Sequence, residues 1–284
     1  MIDLVAFDLD GTVLDPQSRL TNTAAETIAD LAQRGINAVS ISGRSIRRTL
    51  EPFAERPQLV SGLHLAGYNG AVIVGPDASS GRPVMHEERL DADTFVKLTR
   101  YAQDADLNLI YARFDHSGGQ LVEEYRHARS VDGLEAFGGP GFVLDPDLYS
   151  RCLNGCYNPP PLVGMVVDPG ERSDHIAALK ALGGDQITVS WAVPDRVQVT
   201  RRGVDKGKAL RLLARQMGVP LERVLAIGDG DNDLPMLRAA GIGVLMGNAR
   251  TPVQESVPGE GIRVGPTLAQ DGFAAMVREY ALSG

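Results

Sequence analysis

Three short apolar runs carry polar, ligand-competent residues at their C-terminal ends: LVAFDL at 4–9, INAVSIS at 36–42 and RVLAIGD at 223–229. Each has strand length, and each is continuous enough to be covered on both faces. Between the first two lies TNTAAETIADLAQRG at 21–35, with an N-cap candidate, apolar positions at helical spacing and a terminal Gly. A buried strand, a helix and a second buried strand in succession imply a parallel sheet with helices on its faces. Ligands bind beyond the carboxyl ends of such strands. Asp8 and Asp10, Ser42-Gly43-Arg44 and Asp229 all fall there.

The alternation is interrupted once. After HLAGYNGAVIVG at 64–75 come the turn-rich GPDASSGRP, a helix candidate near 91–105, strand-like LNLIYARF and LVEEYRH, and Gly-rich EAFGGPGF. LVGMVVD at 162–168 reads as a strand, SDHIAALKALGG at 173–184 as a helix, and ITVSWAV and RVQVTRR as paired strands. The first pattern resumes with the helical DKGKALRLLARQMGV, the strand RVLAIGD, the helical LPMLRAAG and IGVLMGNA. The expectation is an α/β chain with a Rossmann-like parallel-sheet core from 1–89 and 195–284 and an inserted α/β cap at 90–194.

Composition narrows the partners. The 284 residues, 43% hydrophobic, are enough for a buried core and for two domains. A net charge of −8 argues against nucleic acid, whose binding rests on Lys and Arg neutralising phosphates. A small molecule is the expected ligand. The nearly charge-free run at 59–76 is broken by Gly, Ser, Asn and His and reads as short strands rather than a membrane span. Two cysteines, Cys152 and Cys156, suit ordinary thiols in a reducing compartment, and no secretory signal is readable, so the expected location is the cytoplasm.

Residues two apart in an extended chain point the same way, so Asp8 and Asp10 can reach one site, with Asp229 converging from another strand end. Carboxylates crowded in a partly dry cleft require a cation. A hard divalent ion with oxygen ligands, Mg²⁺, fits them best.

Asp8-Leu9-Asp10-Gly11-Thr12, Ser42-Gly43-Arg44, Lys206 within GVDKGKAL, and GDGDND at 228–233 resemble the four ordered motifs of the haloacid dehalogenase superfamily. YNGA at 68–71 and the large insert after it resemble the Cof-like branch, whose cap falls between the second and third motifs. The resemblance implies a Mg²⁺-dependent phosphatase that hydrolyses small phosphorylated metabolites, such as sugar phosphates or phosphorylated cofactors, through an aspartyl-phosphate. Asp8 is then the nucleophile and Asp10 the general acid and base, which needs a proton at working pH. Asp8, the backbone carbonyl of Asp10 and Asp229 hold the metal, supported by Asp233 directly or through water. Ser42 and Lys206 contact the transferred phosphoryl group, Gly43 allows close backbone approach, and Asn232 faces the substrate. Thr12 orders the first loop. Where the family usually has Thr, Ser42 keeps the hydroxyl.

Plainer readings stand beside these. DLDGT alone is compatible with a turn. Asp15 and Asp231 read as solvated turn residues, and Arg44 either orients the second loop or forms a surface ion pair. Lys206 also reads as a surface lysine, although a cation in a first helical turn is locally unfavourable. Gly241, Gly243 and Gly247 have the spacing of strand and turn packing rather than of a dinucleotide loop. In the insert, Tyr111, Arg113, His116, Tyr125 and Arg126 either face a substrate or line an ordinary sheet face. His64, His86 and His175 lack metal spacing, and Trp191 reads as packing. Two other functions remain open: a phosphomutase of the same superfamily, and a non-catalytic phosphometabolite-binding module. Dehalogenase chemistry is disfavoured, because that branch lacks the second Asp. The expected assembly is a monomer or small homo-oligomer.

Overall fold

A computed structural model describes residues 1–79, 81–116, 121–130, 142–190 and 195–283. Trp191 and nearly all of EAFGGPGF lie outside the described residues. The chain forms two compact units, one from Met1–Met85 with Asp205–Gly284 and one from His86–Val204.

The first unit is built on an eight-stranded sheet. Its strands are β1 (Leu4–Phe7), β2 (Asn37–Ile41), β3 (His64–Gly67), β4 (Val72–Val74) and β5 (Val84–Glu87), with β12 (Val224–Gly228), β13 (Ile242–Leu245) and β14 (Arg263–Val264) from the C-terminal part. The order is β14-β13-β12-β1-β2-β3-β4-β5. Pairing is parallel from β14 through β3, and β3 with β4 is antiparallel. The chain leaves β1 toward β2 and returns on its other side as β12, so the order reverses between β1 and β12. A crevice opens at such a reversal, beyond the strands' carboxyl ends.

Local sequence accounts for these elements. Every residue of β1 and β12 is buried, as strands covered on both faces require. The helix Asn22–Gln33 begins at Thr21, whose side chain accepts from the Ala24 amide at 3.3 Å, and buries Ala24, Ala25, Ile28 and Leu31. Gly35, just past its end, takes a left-handed φ of 68°. The helix Lys206–Gln216 is capped by Asp205, which accepts from the Lys208 amide at 2.7 Å. It buries Ala209, Leu210, Leu213 and Ala214 in a cluster that includes Leu4, Val39 and Val224.

The second unit has a six-stranded sheet in the order β10-β11-β9-β6-β7-β8. These are β6 (Asn108–Asp115), β7 (Val122–His127), β8 (Phe142–Leu144), β9 (Val163–Val166), β10 (Ile187–Ser190) and β11 (Arg196–Arg201). All its pairs are antiparallel except β7 with β8. The helix Ala92–Asp104 packs Phe95, Leu98 and Ala102 into a core shared with Leu109, Met165 and Val197.

The units divide at 85/86 and 204/205, where the sequence places the breaks at 89/90 and 194/195. The second difference has a clear cause. β11 pairs antiparallel with both β9 and β10, so RVQVTRR belongs to the inserted sheet and not to the core. No helix among the described residues is long and apolar enough to cross a membrane.

Candidate active site

Asp8 follows β1 directly and Asp229 follows β12, so neighbouring parallel strands deliver both carboxylates to one end of the sheet. Asp233 arrives from the 3₁₀ turn Asp231–Asp233, which continues into the helix Leu234–Ala239. One carboxylate oxygen from each of Asp8, Asp229 and Asp233 lies within 4.8 Å of the others.

Lys206 stands among them. Its Nζ lies 2.8 Å from Asp8 Oδ1 and 2.6 Å from Asp233 Oδ1, and the side chain is 1% exposed. A surface role is excluded for a lysine buried this deeply. Asp233 uses its other oxygen to accept from the backbone amides of Asp229, at 3.0 Å, and Gly230, at 2.8 Å. Both of its oxygens are therefore engaged in holding Lys206 and the fourth loop.

Burial, and then the charge of Asp233, push the Asp229 carboxyl up to about 7. The same two causes raise Asp8 well above the usual carboxylate range, against the opposing pull of Lys206. Burial works against the Lys206 ammonium, but Asp233 and Asp8 outweigh it and hold it protonated above the ordinary lysine range. When ionised, the three carboxylates exceed the single ammonium by two negative charges. One divalent cation neutralises that excess, and the all-oxygen donor set suits a hard ion. The residues present therefore fit a bound Mg²⁺.

The glycine of the first motif is required by contact. Gly11 has φ +70°, and a Cβ there would lie 2.0 Å from Asp229 Oδ2. Thr12 is fully buried, but its hydroxyl has no hydrogen-bond partner among the described residues. The expected ordering of the loop by Thr12 falls instead to backbone bonds, with the amides of Thr12, Val13 and Leu14 all donating to Leu9 O.

Asp10 faces a different group. Arg44 Nε donates to Asp10 Oδ2 at 2.8 Å, and Arg44 Nη2 bonds Asp10 Oδ1 and also Ser18 Oγ at 2.9 Å. Of the two open readings of Arg44, the structure supports loop orientation. Its guanidinium is largely covered and links the second motif to the first. Ser42, 1% exposed, lies just past β2, and its Oγ accepts from the Arg44 amide at 3.2 Å, so the hydroxyl proton remains available to donate. Gly43 adjoins Asn232 and Asn69, and Asn232 Nδ2 donates to Asn69 Oδ1 at 3.1 Å. Asp231 is ion-paired with Arg250, and Asp15 with Arg19, consistent with turn roles.

Two contributors escape the motifs. Asn248, beyond β13, donates to Gly11 O at 2.9 Å and Asp229 Oδ2 at 3.3 Å, and accepts from the Leu268 amide at 2.7 Å. Its position past another parallel strand is the signal that could have marked it. Asn69 lies inside the YNGA stretch, where only family resemblance singles it out.

In the second unit the substrate-facing candidates separate. Tyr111 is 2% exposed, donates to Asn158 O at 2.9 Å and stacks on Tyr157, so it is core and not a substrate contact. Tyr125 stacks on Phe142. Arg126 pairs with Glu124 and the buried Asp145 and lies over the Tyr157 ring. Arg113 pairs with Asp115 and Glu124, and His116 with Glu87. Cys152 and Cys156 are free thiols.

The model of the haloacid dehalogenase-like hydrolases matches residues 5–274. Among curated proteins, the chain is 26% identical to the 5-amino-6-(5-phospho-D-ribitylamino)uracil phosphatase YitU of Bacillus subtilis, over 98% of this chain and 97% of that one. It is 25% identical to the pyridoxal phosphate phosphatase YbhA of Escherichia coli, over 88% and 90% of the two chains. Among solved structures, a haloacid dehalogenase-like hydrolase from Bacteroides thetaiotaomicron superposes with a TM-score of 0.80 at 26% identity, covering 98% of this chain and 99% of that one.

Proposed function

This chain belongs to the haloacid dehalogenase-like hydrolase family, and from that premise we propose a Mg²⁺-dependent phosphatase of small phosphorylated metabolites. The observation that carries this reading is the convergence of Asp8, Asp229 and Asp233 on buried Lys206 at the sheet's order reversal.

In this reading an Asp8 oxygen attacks phosphorus and the P–O bond to the leaving group breaks. Asp10 delivers the proton that the departing oxygen takes up. The aspartyl-phosphate is then hydrolysed by water, whose proton Asp10 accepts, releasing inorganic phosphate and restoring Asp8. The sequence requires a protonated Asp10 for the first step. The Arg44 guanidinium fork fixes where that carboxyl points. Ser42 and Lys206 donate to the phosphoryl oxygens, and Asn232 and Gly43 border the same space. Asp8, the Asp10 carbonyl and Asp229 would hold Mg²⁺, with Asp233 as support, and the ion supplies Lewis-acid stabilisation of phosphoryl charge.

The insert His86–Val204 is assigned the selection of substrate, with Arg113 and His116 the more exposed of its candidate side chains. Phosphorylated cofactors and their precursors, of the kind named for YitU and YbhA, are the first compounds to try. The cytoplasm, where such metabolites occur, is the assigned location.

The test is a screen of phosphorylated metabolites for phosphate release with Mg²⁺ and with EDTA, read as kcat/KM. Mg²⁺-dependent release that Asp8→Asn abolishes supports the reading. Metal-replete protein with no turnover on any phosphoester contradicts it, and isomerised sugar phosphate without free phosphate would make it a mutase.

A further inference from the structure

The corner between β3 and β4 carries the YNGA stretch, and the chemistry above leaves its role open. Tyr68 and Asn69 adopt consecutive left-handed conformations, φ 54° and 57°, and are 1% and 4% exposed. Residues with a Cβ enter this region only against steric strain, Asn more readily than most. Two in succession, both buried, persist only where their surroundings demand that geometry.

Those surroundings are the second and fourth motifs. The Ser42 amide donates to Ala66 O at 2.8 Å, the Tyr68 amide to Arg44 O at 2.8 Å and the Asn69 amide to Ser42 O at 3.0 Å. The Ser42–Gly43–Arg44 loop is thereby tied at Ser42 and at Arg44 to β3 and the corner after it. Asn69 also reaches the other way, its Oδ1 accepting from Asn232 Nδ2 at 3.1 Å. That oxygen borders Gly43, where a Cβ would lie 3.2 Å from it. One residue thus engages the second motif through its backbone and the fourth through its side chain.

We infer that Asn69 is a positioning residue for phosphoryl binding, fixing Asn232 at a set separation from the Ser42–Arg44 loop so that both converge on one phosphoryl group. The inference rests on the phosphatase reading. Asn69 acts without touching substrate: it occupies one N–H of the Asn232 amide and leaves the other directed elsewhere. Without Asn69 Oδ1, Asn232 is free to rotate, and its contribution to ligand affinity is diluted over several rotamers.

Backbone and side-chain contributions separate by substitution. Asn69→Gly keeps access to the left-handed conformation and removes Oδ1, whereas Asn69→Ala removes the same oxygen and adds backbone strain. Both variants lose a buried amide, and the Ala variant should melt earlier than the Gly variant.

Isothermal titration of inorganic phosphate into the Mg²⁺-loaded protein, with KM and kcat on one ester substrate, tests the inference in wild type, Asn69→Gly, Asn232→Ala and the double variant. Asn69→Gly is expected to weaken phosphate binding about tenfold and to raise KM more than it lowers kcat. In the Asn232→Ala background the same change should have less than about a twofold effect, because its route of action is gone. Wild-type phosphate affinity in Asn69→Gly, or an undiminished effect in the Asn232→Ala background, overturns the inference alone. A wild type that neither binds phosphate nor hydrolyses any ester removes the phosphatase reading and this inference with it.

Discussion

Arg44 spans the carboxylate of Asp10 with its guanidinium fork, Nε donating to Oδ2 at 2.8 Å and Nη2 bonding Oδ1. The pair joins the loop after β2 to the loop after β1. Its members differ in environment, since the Arg44 side chain is 13% exposed and that of Asp10 56% exposed. An exposed carboxylate on a largely covered cation is a group whose position is set by its partner.

Arg44→Ala is therefore expected to lower kcat about tenfold with little change in Tm, because the freed carboxylate is solvated and its aim is lost. Asp10→Asn should lower kcat by roughly 10²–10⁴. Adding Arg44→Ala to Asp10→Asn should do no further harm. Steady-state kinetics of the three variants decide this, and additive losses would place Arg44 in a separate role.

Lys206→Met leaves Asp8 and Asp233 buried without their shared cation. Removing one member of a buried charge network destabilises by about 3–5 kcal/mol. The expected outcome is a kcat reduced at least about 10²-fold, with a clear loss of denaturant stability that added Mg²⁺ partly restores. Chemical unfolding with and without Mg²⁺ measures both.

Without metal, stability should fall as pH rises through the window from about 4 to about 7. In the folded chain Asp229 takes up its proton at about 7, because of burial and the charge of Asp233, whereas an unfolded Asp does so near 4. Between those values the native state holds the extra proton, so raising the pH favours unfolding. Asp8, shifted in the same direction, steepens the slope. In EDTA at pH 8, Asp229→Asn is expected to raise Tm by roughly 2–5 °C while abolishing Mg²⁺ stabilisation. Melting curves from pH 4 to 8 test this, and a metal-free Tm that rises with pH over that range would contradict it.

Gly11→Ala places a methyl group against Asp229 Oδ2 at a backbone φ of +70°. The carboxylate must move aside, so the Mg²⁺ concentration for half-maximal activity should rise at least about tenfold. An Mg²⁺ titration of activity provides the check.

Much of this architecture was legible in the residues. β1, β2 and β12 appear as continuous apolar runs because both their faces are covered, and the helix Asn22–Gln33 is marked by Thr21 at one end and Gly35 at the other. Convergence of Asp8 and Asp229 follows from strand ends in a parallel sheet, with no side-chain detail needed. The illegible parts depend on distance through space. Asn248 lies 237 residues from Gly11 in sequence, and an exposed Asn after a strand has no local mark of its role. The Arg44 alternatives could not be separated until Asp10 was seen opposite its fork. Short helices such as Ile46–Leu50 and Thr251–Ser256 span too few residues for a periodicity to show. The two readings of Tyr111, substrate contact or sheet face, stay open in the sequence because a polar tip on a strand gives no sign of which face is covered.

The central claim is that Asp8 becomes phosphorylated during turnover. Acid quenching of the Mg²⁺-loaded enzyme within the first turnover of its best ester, followed by mass spectrometry of the peptide bearing residue 8, measures this directly. The account requires a transient increment of one phosphoryl group on Asp8, absent in Asp8→Asn and in EDTA. Rapid phosphate release with the Asp8 peptide unmodified at every time point, or an Asp8→Asn variant that still turns over, would contradict it.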